Sequence, residues 1–203
     1  MRTSIQSFEV GVDISMITAA LQARIISNMK KERKILGKNN QNPALDLGLQ
    51  EITVEEVRKA YYLAKVVAYG QGFAMMKEAG KVYGWELDLE NIAATFRAGC
   101  IIQAEFLEVI MDIYKSTPDL ENLLLHEDMK VLVSKYMNCL RLFNVQSIVN
   151  GVPTPTISSA LMYLDQLQAP LLGANLIQGQ RDYFGAHTFQ RIDREGVFHH
   201  EWN

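Results

Sequence analysis

Apolar residues recur every three to four positions along most of the chain, which is the spacing of one face of an α-helix. The first run places four apolar residues four positions apart: Ile17, Leu21, Ile25 and Met29. Asp13, a typical N-cap residue, precedes this run, and a basic segment followed by Gly37 favours a helix end. The pattern therefore predicts one helix from about Asp13 to Gly37.

A second, longer helix is predicted to begin at Thr53 and to continue to about Tyr83. Thr53 and Glu56 have the spacing of a capping box, in which each residue satisfies a backbone N–H of the other. The segment 60–76 is apolar nearly all round and carries a row of small residues four positions apart: Ala60, Ala64, Ala68 and Gly72. A row of small residues allows a second helix to approach closely, so we expect this helix at the centre of the domain.

The remaining periodic segments predict five more helices. They run over 88–97, 99–115, 127–149, 157–167 and 171–183. Pro153 and Pro155 predict an extended connector, and no series of alternating strands is present. We therefore predict a single all-α domain over residues 1–203, in which residues 187–203 form an extended tail that keeps several aromatic residues and needs a surface to pack against.

Composition limits the classes of function. Twenty basic and 23 acidic residues are mixed along the 203 positions and give a net charge of −3, so no basic surface for nucleic acid or an anionic membrane is indicated. Cys100 and Cys139 have neither disulfide nor metal-site spacing and are interpreted as core thiols. The N-terminus has no leader pattern and no apolar run approaches the roughly 18 residues needed to span a bilayer. We expect a soluble cytoplasmic protein.

Several familiar site patterns are incomplete in this sequence. The four histidines lack carboxylate or cysteine partners at ligand spacing, so no metal site is predicted. The segment Gly70-Gln71-Gly72 has Met75 where a dinucleotide loop requires glycine, and no strand is predicted before it. There is no nucleophile elbow, and Ser158 and Ser159 are interpreted as helix-capping residues.

The segment "LIQGQRDYFGAHTF" is the strongest candidate site. It places Arg181 and His187 on either side of an aromatic turn, and a guanidinium with an imidazole suits a phosphate or a carboxylate. From spacing alone, surface salt bridging and ligand binding both remain open. Arg24, within the first apolar run, is by the same reasoning a structural charge, either paired or with its stem buried.

Longer segments carry a resemblance to a known family. The tail "ANLIQGQRDYFGAHTFQRIDREGVFHHEW" closely resembles the C-terminal signature of decarboxylating 6-phosphogluconate dehydrogenases. The segment from "AYYLAKVVAYGQGF" to "FRAGCIIQAEFL" is similar to the central helix of that family and its W-R-G-G-C-I-I-R stretch, and "ARIISNMKKER" to its first domain helix. The resemblance covers essentially the whole chain, although Phe96, Ala98 and Gln103 replace the family's Trp, Gly and Arg.

The resemblance implies an all-α C-terminal domain that binds substrate and forms a homodimer, with the tail reaching the neighbouring subunit. It implies that Arg181 and His187 bind 6-phosphogluconate from that neighbour and that Arg24 contacts the substrate within its own subunit. The parent enzyme would oxidise and decarboxylate 6-phosphogluconate to ribulose 5-phosphate and CO2, with NADPH as the reduced product.

The same resemblance places the NADP-binding Rossmann domain, the catalytic lysine and the catalytic glutamate before Met1. No catalytic, cofactor-binding or metal-binding residue is therefore predicted in this chain, and the chain alone is predicted to be inactive. Two alternatives remain, which are a stand-alone dimerisation or regulatory module and a helical interaction protein without a ligand.

Overall fold

The computed structural model describes residues 1–38, 44–48, 50–97, 99–102 and 104–202. The chain divides into two compact units, unit 1 (Met1–Tyr163) and unit 2 (Leu164–Asn203). The predicted all-α class is confirmed, while the prediction of a single domain over 1–203 stays a prediction.

The described residues form nine α-helices, one short 3₁₀-helix and two short strands. Unit 1 contains α1 (Arg2–Val10), α2 (Ser15–Asn28), α3 (Lys30–Gly37), α4 (Val54–Tyr83), α5 (Leu89–Thr95), α6 (Phe106–Ser116), the 3₁₀-helix (Leu123–Leu125) and α7 (Glu127–Val149). The boundary between the units falls within α8 (Pro155–Gln168), and unit 2 continues with α9 (Ala174–Gly185), β1 (Phe189–Gln190) and β2 (Val197–Phe198).

Helix α4 lies at the centre of unit 1, as predicted. It packs along α7 and also contacts α1, α2 and the 3₁₀-helix. Its N-terminus has the predicted capping box, in which the Thr53 hydroxyl accepts from the Glu56 backbone and the Glu56 carboxylate accepts from the Thr53 backbone. Leu63 and Phe73 are almost completely buried along its length, and burial of a large apolar side chain contributes about 1.5–3 kcal/mol.

The row of small residues on α4 is only partly used for close packing. Ala60 and Ala64 are buried, whereas Ala68 and Gly72 are half-buried. A close approach occurs at Gly70, where an added Cβ would lie 3.2 Å from Cγ of Leu124. Gly70 therefore allows the 3₁₀-helix to pack directly against the α4 backbone.

The prediction of one continuous helix from about Asp13 to Gly37 is wrong at a single point near its middle. The backbone leaves helical geometry at Met29, with φ −78° and ψ 57°, so α2 and α3 are separate helices. Ile25 and Met29 are exposed, which means that the apolar stripe is not buried over its full length. Helix α1 was not predicted, because its buried positions include Ser4 and Ser7 and so lack apolar periodicity.

The later elements agree more closely with the sequence pattern. Asp88 caps α5 by accepting from the Asn91 backbone, and α7 spans the predicted 127–149. Helix α6 begins only at Phe106, so the predicted helix over 99–115 is confirmed in its second part alone. No helix within the described ranges is long and apolar enough to cross a membrane.

Candidate substrate-binding site

The candidate site in unit 2 is built at the C-terminal end of α9. The helix ends at Gly185, and Ala186 caps it in the left-handed conformation with φ 50°, donating its N–H to the Asp182 carbonyl at 2.9 Å. Thr188 is also left-handed, with φ 61°. A non-glycine residue in this region costs about 1–3 kcal/mol and persists only where its surroundings hold it. His187 therefore lies between two strained residues.

Asp182 anchors this turn and the C-terminal segment. Its side chain is fully buried. One carboxylate oxygen accepts from the Thr188 backbone N–H at 3.0 Å and lies 2.8 Å from Nδ1 of His199. The other oxygen accepts from the His200 backbone N–H at 3.0 Å and from the indole N–H of Trp202 at 3.0 Å. The Asp182 carboxylate thus contacts four groups, all from the 15-residue segment 188–202.

The surroundings of Asp182 favour its ionised form. Desolvation by burial alone would raise its pKa, but the hydrogen bonds from His199, the His200 backbone and Trp202 outweigh desolvation and hold the pKa well below the usual range. A carboxylate in the last turn of a helix also lies near the negative end of the helix dipole, which does not favour it. The four contacts explain why an aspartate nevertheless occupies this position.

Gln178 connects the two residues that the sequence singled out. Its amide oxygen accepts from the Arg181 guanidinium at 3.2 Å, and its amide nitrogen donates to the Thr188 carbonyl at 2.5 Å. Both polar groups of the Thr188 backbone are therefore bonded, one to Asp182 and one to Gln178. Arg181 and the turn that carries His187 are consequently held by one side chain.

His187 is exposed, and two neighbours restrict its ring. The ring lies edge-on to Phe184, with centroids 6.0 Å apart. A Cβ added at Gly185 would lie 2.8 Å from Cδ2 and 2.9 Å from Nε2 of His187, so only glycine leaves room for the ring in this orientation. His187, Gln178 and Trp202 line an open groove of about 1110 Å³ within unit 2.

Arg181 differs from the other arginines of unit 2 in having no charged or aromatic partner among the described residues. Arg191 pairs with Asp193 through two bonds of 2.6 and 2.7 Å, and the Arg194 guanidinium lies 4.6 Å from the ring centroid of Phe198. Arg181 is exposed and bonds the neutral amide of Gln178. Surface salt bridging, the alternative left open by spacing, is therefore not what the structure shows for Arg181.

The tail is more ordered than the predicted extended segment. Strands β1 and β2 pair antiparallel, with Phe189 opposite Phe198 and Gln190 opposite Val197. This hairpin brings the C-terminal segment back toward α9, where Trp202 lies edge-on to Tyr183 with centroids 5.6 Å apart. The hairpin and the Asp182 contacts together hold the C-terminal segment of unit 2 against α9.

Arg24 belongs to unit 1, whereas Arg181 and His187 belong to unit 2. It lies on α2 and is exposed, and no described residue bonds or pairs with its guanidinium. The interpretation of Arg24 as a paired charge is therefore wrong.

The buried amide of Gln71 holds the start of α2, the helix that carries Arg24. It accepts from the Met16 backbone at 3.1 Å and donates to Ser15 at 3.0 Å.

Comparison with known proteins decides the family. The family described as "6-phosphogluconate dehydrogenase, C-terminal domain" matches residues 1–202. The chain belongs to this family.

Relatives of the 6-phosphogluconate dehydrogenase family support this assignment. The decarboxylating 6-phosphogluconate dehydrogenases of Escherichia coli K12 and Staphylococcus aureus N315 are each 45% identical over 201 residues. A solved structure of the Plasmodium falciparum enzyme has a TM-score of 0.91 at 33% identity and covers 98% of this chain and 44% of its own. That structure is described in its apo form, with its cofactor NADP+ and with its substrate 6-phosphogluconate.

The chain spans 43% of the length of the E. coli and S. aureus relatives, and 98% of the chain is covered. The resemblance of the sequence to decarboxylating 6-phosphogluconate dehydrogenases is thus confirmed. Correspondence to the C-terminal domain of these enzymes is favoured over a stand-alone module. Of the three family departures, Phe96 ends α5, while Ala98 and Gln103 lie outside the described residues.

The remaining predictions about chemistry have mixed outcomes. Gly70, Gln71 and Gly72 lie inside α4, so they do not form a nucleotide loop. Cys100 and Cys139 are free and half-buried, and not fully buried core thiols. The residues that the structure describes include no group of three or more His, Cys, Asp or Glu that could hold a metal ion.

Sequence reasoning missed the two residues that organise the site, Asp182 and Gln178. The signal for Asp182 was its place in the last turn of a helix, where a carboxylate is unfavourable without a specific partner. For Gln178 the sequence offers no such signal, since a glutamine is common on an exposed helix.

Proposed function

We propose that this chain acts as the substrate-binding and dimer-forming domain of a decarboxylating 6-phosphogluconate dehydrogenase. Arg181 and His187 bind the phosphorylated end of 6-phosphogluconate in the active site of the neighbouring subunit, and Arg24 contacts the substrate within its own subunit. The observation that carries this proposal is that Gln178 connects the exposed Arg181 to the Thr188 backbone in the turn that carries the exposed His187.

The chemistry of these groups suits a phosphate monoester. A guanidinium can donate two parallel N–H bonds to phosphate oxygens, and an imidazole adds a further donor. The neutral Gln178 amide orients Arg181 without neutralising its charge. Arg181 therefore keeps its full charge for an anionic ligand.

Apolar exposure in unit 2 supports the proposed homodimer. Several large apolar side chains of this unit are more than half exposed: Leu171, Leu176, Ile177, Tyr183, Phe184, Ile192 and Val197. Monomeric proteins rarely expose so many large apolar groups in a short segment. A second copy of the chain covers them in this proposal.

The described residues of this chain do not form a Rossmann-type site for NADP. In the described part of the chain the strands are β1 and β2, two residues each, and no glycine-rich loop follows a strand. Binding of NADP and the proton transfers of catalysis therefore belong, in this proposal, to the part of the relatives that this chain does not match. The chain alone is expected to form no NADPH from 6-phosphogluconate.

Complementation with a complete relative tests the proposal. The recipient is the E. coli enzyme in which the arginine that aligns with Arg181 is replaced by alanine, so that its own tail cannot bind substrate. Adding the wild-type chain is expected to restore NADPH formation through mixed dimers, and adding the Arg181→Ala chain is not. Arg194→Ala, which removes a guanidinium already stacked on Phe198, is the matched control and is expected to restore activity.

The Kd of the mixed dimers for 6-phosphogluconate measures how much Arg181 contributes to substrate binding. Hydrogen bonds to charged groups contribute about 1.5–3 kcal/mol, so Arg181→Ala is expected to raise the Kd for 6-phosphogluconate by about 10- to 150-fold. Equal restoration by the Arg181→Ala and wild-type chains would refute the substrate-binding role. A monomer mass in light scattering at tens of micromolar would refute the dimer.

A further inference from the structure

The conformation of the His187 turn is not one that its residues prefer. Ala186 and Thr188 both have positive φ, and a β-branched residue such as Thr188 is especially unfavourable there. The backbone conformation around His187 is therefore stabilised by contacts with other residues of unit 2.

Asp182 bonds the residues on both sides of His187. Its backbone carbonyl accepts from Ala186 at 2.9 Å, and its carboxylate accepts from Thr188 at 3.0 Å. The carboxylate is fully buried, so it has no access to a ligand in the groove. Asp182 can therefore affect a ligand only through the groups that it holds.

We propose that Asp182 is a positioning residue that holds Thr188 in the left-handed conformation and thereby sets His187 for substrate. This proposal rests on the proposed function of Arg181 and His187. Gln178 completes the arrangement, because it bonds the Thr188 carbonyl on one side and Arg181 on the other. The spacing between the guanidinium and the imidazole is fixed by this network.

A carboxylate is needed at position 182 because its partners are donors. The backbone groups of Thr188 and His200 and the indole of Trp202 have only N–H to offer. An asparagine has one acceptor oxygen, so in either orientation its NH2 would face at least one of these N–H groups. The orientation that keeps two of these three bonds turns the oxygen toward His200 and Trp202 and the NH2 toward the Thr188 N–H, so Asp182→Asn is expected to release the turn with almost no change in side-chain volume.

The decisive experiment is a rescue. Asp182→Asn, Thr188→Gly and the double variant are assembled into mixed dimers with the complete subunit described above, and the Kd for 6-phosphogluconate is measured by calorimetry. Asp182→Asn is expected to raise the Kd about tenfold, equivalent to about 1.4 kcal/mol. Thr188→Gly alone is expected to change it by less than about twofold, since glycine adopts positive φ without strain.

The double variant is expected to recover most of the lost affinity, because its turn no longer needs Asp182 to hold it. General unfolding of the tail would not be reversed by one glycine, so rescue separates positioning from a purely structural role. No recovery in the double variant would overturn the proposal. Amide exchange at residue 188 in Asp182→Asn gives a readout independent of ligand and is expected to be faster than in the wild type.

Three further variants keep the outcome interpretable. His199→Phe removes another partner of the carboxylate but leaves the Thr188 bond, and it is expected to leave the Kd within about twofold. Gln178→Met removes the bonds to both Thr188 and Arg181, so if Asp182→Asn does not fold, the part of the Gln178→Met loss that Thr188→Gly recovers takes the place of that rescue. An unchanged Kd in His187→Ala would refute the proposed function itself, whereas a raised Kd in His187→Ala with an unchanged Kd in Asp182→Asn would overturn only the role of Asp182.

Discussion

The two units of the chain are stabilised by different kinds of interaction. In unit 1, helix α4 and its neighbours bury large apolar side chains such as Leu63, Phe73 and Leu140. Among described residues 164–202 of unit 2, the buried residues are Leu164 and Asp182, while most large apolar side chains are exposed. Unit 1 is thus held by apolar burial and unit 2 by hydrogen bonds to one carboxylate. The difference indicates that unit 1 has an apolar core of its own, whereas unit 2 leaves most of its large apolar side chains available for the proposed homodimer contact.

A cavity in the core of unit 1 is expected to have the largest effect on stability. Leu140 is completely buried on α7, and Leu140→Ala should lower the free energy of unfolding by about 2–5 kcal/mol. Val131→Ala removes an exposed apolar side chain from the same helix and should change it by less than about 0.5 kcal/mol. Urea denaturation followed by circular dichroism measures both. Equal effects of the two variants would contradict an apolar core along α7.

Acid is expected to affect unit 2 through Asp182. Its pKa is lowered by the hydrogen bonds from His199, His200 and Trp202, which outweigh desolvation, so the folded unit binds fewer protons than the unfolded chain between the two pKa values. The stabilisation is fully present above the ordinary aspartate pKa of about 4 and is lost progressively as the pH falls from there toward the lowered value.

The indole N–H signals of the two tryptophans in NMR spectra report the unfolding of each unit separately, and so measure how its stability depends on pH. Trp202 bonds Asp182 in unit 2, and Trp85 lies in unit 1. The measurement is made in high salt, which screens the exposed ion pairs of unit 1. Between pH 6 and pH 3, the urea midpoint of the Trp202 signal should fall by more than the urea midpoint of the Trp85 signal. Asp182→Asn should lower the Trp202 midpoint at pH 6 and remove most of its pH dependence. Parallel behaviour of the two signals would contradict the distinction between the units.

A helix cap in unit 1 is expected to have the smallest effect of the three. The Thr53 hydroxyl accepts from the Glu56 backbone at 3.2 Å, and Thr53→Ala should destabilise unit 1 by about 1 kcal/mol. Thr53→Ser keeps the hydroxyl and should remain close to the wild type. Urea midpoints of the two variants provide the measurement, and a loss in Thr53→Ser as large as in Thr53→Ala would show that the hydroxyl is not what matters.

The fold was predictable where local signals and burial agree. The capping box at Thr53, the cap at Asp88 and the apolar periodicity of α4 and α7 each correspond to an observed element. Helix α1 was missed because serines occupy two of its buried positions. The break at Met29 was missed because it lies inside a regular apolar spacing, and periodicity alone does not report a single non-helical residue.

The candidate site was predictable only in part. Residue type and resemblance singled out Arg24, Arg181 and His187, whose roles in substrate binding stay predictions. The network behind them depends on contacts that span many positions, since Asp182 meets Trp202 across 20 residues. Such contacts arise from the hairpin of β1 and β2, whose two-residue strands are too short to give an alternating pattern.

Because Gly185 lies so close to the His187 ring, the size of the side chain at position 185 controls where the imidazole can lie. A methyl group there would occupy space that the ring now fills, so the ring would have to rotate although its own chemistry is unchanged. A designer could thus displace the imidazole without replacing the histidine, and a natural sequence cannot vary position 185 freely while keeping the ring where it is. The smallest residue in the turn defines where its largest polar group can point.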